Sequence, residues 1–202
     1  MREGVAPHPA RRIFASLAWV LAAVLALLGV YVAGYGLLDE TVMRVGTYAL
    51  AALTLVFAAI AGRFGDPPRR RWWWLADALL LIILGVSTWR YFVIGEALEI
   101  GLYSFSAEDI ALGVAALGAL IVLTQRAFGL PLAIVCVVAL GYGLYGEYLP
   151  WIFEHGGYSL KQVVQVVWYS FDGVFGGPLS VVVTLIVVYV VFGTVLEGIG
   201  AG

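Results

Sequence analysis

The chain has 202 residues, of which 63% are hydrophobic and 12% charged, with a formal charge of −2 and a mean hydropathy of +1.01. A water-soluble domain carries roughly a quarter charged residues, so this composition calls for lipid as the partner of most of the surface, in about six spans of roughly 20 residues with little left for an extramembrane domain. The small net charge argues against nucleic acid, and Cys136, the single cysteine, excludes an intrachain disulfide.

The first apolar stretch, Ile13 to Leu38, follows Arg11-Arg12. It is longer than the roughly 7–15 residues of a signal h-region and no small-residue cleavage site follows, so a retained first span is expected. Further long runs, separated by charged or Gly/Pro-containing breaks, put spans at about 13–37, 43–62, 73–94, 107–124, 130–149 and 178–198. These runs are too long for barrel strands and lack their alternation, so the expected fold is an all-α polytopic membrane protein. The fourth run is short, but Ser106 can cap it, and Glu108 and Asp109 suit a helix N-terminus.

Basic residues set the expected orientation. Arg2, Arg11, Arg12, Arg63, Arg69, Arg70, Arg71 and Arg126 share one side if the spans alternate, which is eight of the eleven Lys and Arg residues. That side, with the N-terminus, is expected to be cytoplasmic. Trp72, Trp73 and Trp74 directly follow the basic turn, as interfacial anchors do.

Between the fifth and sixth runs the pattern changes. Leu160, Val163, Val164, Val167, Trp168 and Phe171 recur at the spacing of one helix face, and Ser159 with Gln162 fits a capping box. An interfacial amphipathic helix is expected over 159–172, lying on the membrane surface or packed on its own protein. Gly176-Gly177-Pro178 then breaks the chain and places the proline in the first turn of the last span.

The inventory of chemical groups is thin, and no enzyme is expected. His8 and His155 are the only histidines, and no His/Cys/carboxylate group has metal-ligand spacing, so no cofactor or metal site is read from the residues. Gly141-Tyr142-Gly143-Leu144-Tyr145-Gly146 matches the three-glycine dinucleotide fingerprint in form only, because it lies at the end of an apolar helix and not between a strand and a helix. Glycines that admit a close neighbour are the better reading. Charged residues within spans are candidates for function, which selects Asp77, Arg90 and Glu197. Each also has a structural reading: Asp77 lies a turn inside the tryptophan belt, Arg90 can snorkel to headgroups, and Glu197 is close to a helix end. Asp77 and Arg90 lie on one helix roughly 20 Å apart and cannot pair with each other.

Three stretches resemble the fused permease subunit of tripartite ATP-independent periplasmic (TRAP) transporters, particularly the branch paired with TAXI-type binding proteins. The first, from Gln125 to Leu132, holds a basic turn and a Gly-x-Pro helix start at Gly129 and Pro131. In the second, Gly156 to Ser159 leads into Tyr169 to Leu179, with Asp172, Gly173, Gly176 and Pro178. The third is the helix end from Phe192 to Gly202, with Gly193, Glu197 and Gly200. The resemblance implies a small membrane domain over 1–105 and the start of a large permease domain over 106–202. It further implies sodium-coupled import of small organic acids across a bacterial or archaeal cytoplasmic membrane. Its implied partners are the remainder of the permease and a periplasmic substrate-binding protein of the TAXI type. The family's sodium and substrate sites are expected in a part of the large domain beyond Gly202, so no transport-site residue is assigned here. The alternative is a non-transport module for membrane assembly or anchoring.

Overall fold

The computed structural model describes residues 9–35, 39–63, 71–101 and 103–200. His8, the basic positions Arg69 and Arg70, and the last two residues of the Phe192–Gly202 motif lie outside the described residues.

Helices account for nearly all of the described chain: α1 (Pro9–Tyr35), α2 (Glu40–Arg63), α3 (Arg71–Glu99), α4 (Ala107–Phe128), α5 (Leu130–Tyr145), α6 (Leu160–Val167), α7 (Gly177–Val181) and α8 (Val187–Gly198). Among the described residues, five stretches are long and apolar enough to cross a membrane: Pro9–Val32, Thr41–Arg63, Trp73–Leu98, Ala107–Phe128 and Leu130–Tyr148. The protein is an all-α polytopic membrane protein. The sixth expected span, 178–198, is helical throughout but built in three pieces, with the π-helical segment Val182–Ile186 between α7 and α8.

Local chemistry sets the helix limits. The Asp39 carboxylate accepts from the Val42 N–H at 3.1 Å and so starts α2. At α4, Ser106 caps the helix as expected from the sequence, and Asp109 goes beyond its expected place at the helix N-terminus by completing a capping box with it. Gly129 separates α4 from α5 at φ 86°, a conformation that favours glycine, and Pro131 sits in the first turn of α5.

The surface helix starts as expected, with the Ser159–Gln162 capping box in place, but it ends at Val167 and not at Asp172. Beyond it the chain turns back over its own helix end: the Val174 N–H donates to the Val167 carbonyl at 2.8 Å, and Trp168 and Phe175 are both fully buried. The expected apolar spacing holds as far as Trp168, and Phe175, which lies outside that spacing, is buried through the fold-back. Gly173 makes the turn possible, because a Cβ there would collide with the Val166 and Val167 carbonyl oxygens.

The chain forms two compact units, residues 1–82 with 183–202, and residues 83–182. In the first, α1 packs along α2, with Phe14 and Phe57 ring centroids 6.0 Å apart, and α1 also meets α8. Val45, Tyr48, Ala52, Val56 and Ile60 form the buried stripe of α2 at steps of three or four residues. In the second unit, α4 packs on α5 and α6 and buries Gly113, Ala116, Leu117 and Leu123. Without a hydrophobic drive between helices in lipid, close packing of small residues supplies the contact energy. Gly113 is one example: the side chains of Val164, Tyr169 and Trp168 crowd the place a Cβ would take.

Candidate functional site

The densest polar cluster forms where the second half of α3 meets the start of α4. Asp109 lies in the first turn of α4 with 1% of its surface exposed. Its Oδ1 accepts from Arg90 Nε at 2.8 Å. Its Oδ2 accepts from the Tyr103 hydroxyl at 2.7 Å, from the Ser106 N–H at 3.0 Å and from the Ser106 hydroxyl at 2.9 Å. Arg90 Nη2 donates to the Tyr103 hydroxyl at 2.7 Å, which closes a ring of three side chains. The Arg90 side chain is 38% exposed, so the pair has one buried and one half-exposed member.

Aromatic residues wall this cluster. The Tyr169 hydroxyl donates to the Asp109 backbone carbonyl at 2.9 Å. Phe105 lies 5.1 Å from both the Tyr103 and the Tyr169 ring, and Tyr91 lies 4.7 Å from Phe175. Burial raises the pKa of the Tyr103 phenol, and its hydrogen bond to the Asp109 carboxylate raises it further. For Tyr169, burial and then the Asp109 charge push the phenol up to about 12. Both hydroxyls therefore keep their protons at neutral pH and act as fixed donors.

A carboxylate with four donors on its two oxygens has little capacity left for a cation or a proton. The arrangement joins α3, the 103–106 segment and α4, and it is structural before it is chemical.

The sequence candidates fall in three different settings. Asp77, 1% exposed, is paired with Arg63, the last residue of α2. The Arg63 guanidinium also lies 5.0 Å from the centre of the Trp73 ring, in cation–π range. Arg90 is held by Asp109 and Tyr103 and does not simply snorkel to headgroups. Glu197 is exposed near the end of α8. Asp77 and Arg90 thus each have a partner from another helix. The sequence places Asp109 only as a favourable charge at the α4 N-terminus and gives Tyr103 no role. The usable signal was depth, because Arg90 and Asp109 flank one inter-helix loop as oppositely charged groups.

Among the family-motif positions, Gly129 and Pro131 make the α4–α5 break, Gly173 and Gly176 make the fold-back after α6, and Pro178 starts α7. Asp172 is exposed and its backbone N–H bonds the Ser170 hydroxyl at 3.0 Å. Gly193 lies within α8, and Gly200, at φ 75°, follows it. Of the formal dinucleotide motif, Gly141 and Gly143 lie within α5, while Gly146 supports the His155 ring, which leaves no room for a Cβ. No group of three His, Cys, Asp or Glu side chains able to hold a metal occurs among the described residues.

Comparisons of the chain with protein-family models, curated proteins and solved structures give no match.

Proposed function

We propose that this chain supplies scaffold helices to a TRAP-type secondary transporter permease, one that imports small organic acids with a cation gradient. It resides in a bacterial or archaeal cytoplasmic membrane with its N-terminus inside, and other permease segments carry the transport site. The observation that carries this reading is where the family-motif residues lie: Gly129, Pro131, Gly173, Gly176 and Pro178 all sit at helix breaks and starts. Residues with such roles fix the path of the backbone and leave ligand chemistry to other groups. Two ion pairs among the described residues support the same reading, because each joins neighbouring helices with a satisfied charge.

The test is reconstitution into liposomes with an imposed sodium gradient. The chain alone should give no uptake of radiolabelled organic acids, and uptake should appear when the remaining permease segments and a TAXI-type binding protein are added. Robust sodium-dependent uptake by the isolated chain would overturn the scaffold assignment. Continued silence of the complete assembly would overturn the transporter assignment in favour of an anchoring or assembly module.

A further inference from the structure

A groove of about 330 Å³ runs between α5 and α6. Ala139, Leu140 and Gly143 form its α5 wall, Val163, Val166 and Val167 its α6 wall, and Tyr158 and Gln162 also line it. Its lining is almost wholly apolar, and its size is that of a small-molecule site.

Three observations identify the occupant. The α5 wall belongs to a membrane-spanning helix whose neighbouring Val135, Val138 and Tyr142 are exposed, so the solvent on this face is lipid hydrocarbon. Just past the end of α5, Tyr148, Trp151, Ile152 and Phe153 are all exposed, with Trp151 at 89%. Such an apolar–aromatic cluster marks headgroup level, which puts the groove one to two helical turns below it. The polar groups at the groove also match a lipid. Gln162 Oε1 is used by the Ser159 N–H at 2.9 Å and hydroxyl at 2.8 Å, so its amide nitrogen remains as a donor.

We propose that this groove is a phospholipid site. One acyl chain lies between α5 and α6, and an ester carbonyl accepts from Gln162 Nε2. A lipid bound there fills the space between a membrane-spanning helix and a surface helix that packs on it through only a short apolar face. The proposal requires the membrane-spanning architecture but not the transporter reading.

The test uses the full chain in phosphatidylcholine vesicles that carry a minority of phosphatidylglycerol with a diazirine midway along one acyl chain. After irradiation, digestion and mass spectrometry, adducts should concentrate on peptides covering 139–143 and 163–167. Gly143→Leu should reduce these adducts about tenfold by filling the groove with the volume of more than one methylene. Its first side-chain carbon has room, because the nearest atom, Val163 Cγ2, is 3.9 Å away. Gln162→Glu, which keeps an acceptor for the Ser159 cap and removes the amide donor, should reduce them about fivefold. Adducts spread evenly over the exposed faces of α1 and α5 would overturn the site. So would adducts unchanged by Gln162→Glu, or a protein–protein cross-link across the groove in place of lipid.

Discussion

Arg90 and Asp109 differ in exposure, and the difference gives the pair a direction. If Arg90 is removed, a carboxylate with 1% exposure loses its countercharge and keeps only Tyr103 and Ser106 as donors. If Asp109 is neutralised, the 38% exposed guanidinium can turn toward water or headgroups. Arg90→Met should therefore lower stability by about 3 kcal/mol, the low end for a broken buried pair, and Asp109→Asn by about 1.5 kcal/mol. Thermal unfolding in detergent ranks them, and the reverse order would show that the cap outweighs the charge pair. Tyr169 allows a test against pH. With its folded pKa near 12 and an ordinary unfolded value near 10, its contribution is complete below pH 10 and is lost as pH rises toward 12. The alkaline limb of the stability profile should be shallower in Tyr169→Phe than in the parent protein. Superimposable limbs would mean that the phenol titrates normally.

At the scale of elements, glycine positions separate side-chain packing from backbone crowding. Gly113→Ala pushes a methyl against Val164 Cγ1, a side-chain atom, and should cost about 1–3 kcal/mol, with most recovered in the double variant with Val164→Ala. Gly173→Ala meets carbonyl oxygens of its own fold-back, so no side-chain truncation should rescue it. Stability of the paired variants decides between these outcomes. Helix existence is legible in the sequence because apolar run length and caps are local: the Ser106 cap and the Ser159 capping box are where the sequence places them. The end of α6 was not legible, because an apolar spacing of 3.6 fits either a continued helix or a turn that buries the same Trp168 and Phe171–Phe175 region differently. Neither ion pair was legible either. Arg63 and Asp77 are fourteen residues apart, Arg90 and Asp109 nineteen, and each pair lies across a loop whose geometry no local pattern states.

For the whole molecule, everything rests on long apolar helices being solvated by lipid. Large apolar side chains such as Trp19, Leu27, Ile82, Trp89, Val138 and Tyr189 are exposed in the folded chain, which water would penalise and hydrocarbon does not. A protein of this kind should resist extraction from membranes by carbonate and stay dispersed only with detergent or lipid. Cys136, within the span Leu130–Tyr148, offers the most direct measurement. In sealed vesicles, a membrane-impermeant maleimide should label a cysteine placed at exposed Ser104, between α3 and α4, from one side only, and should leave Cys136 unmodified until detergent is added. Labelling of Cys136 in intact vesicles at the rate of the Ser104→Cys site would contradict a membrane-spanning α5 and the architecture built on it.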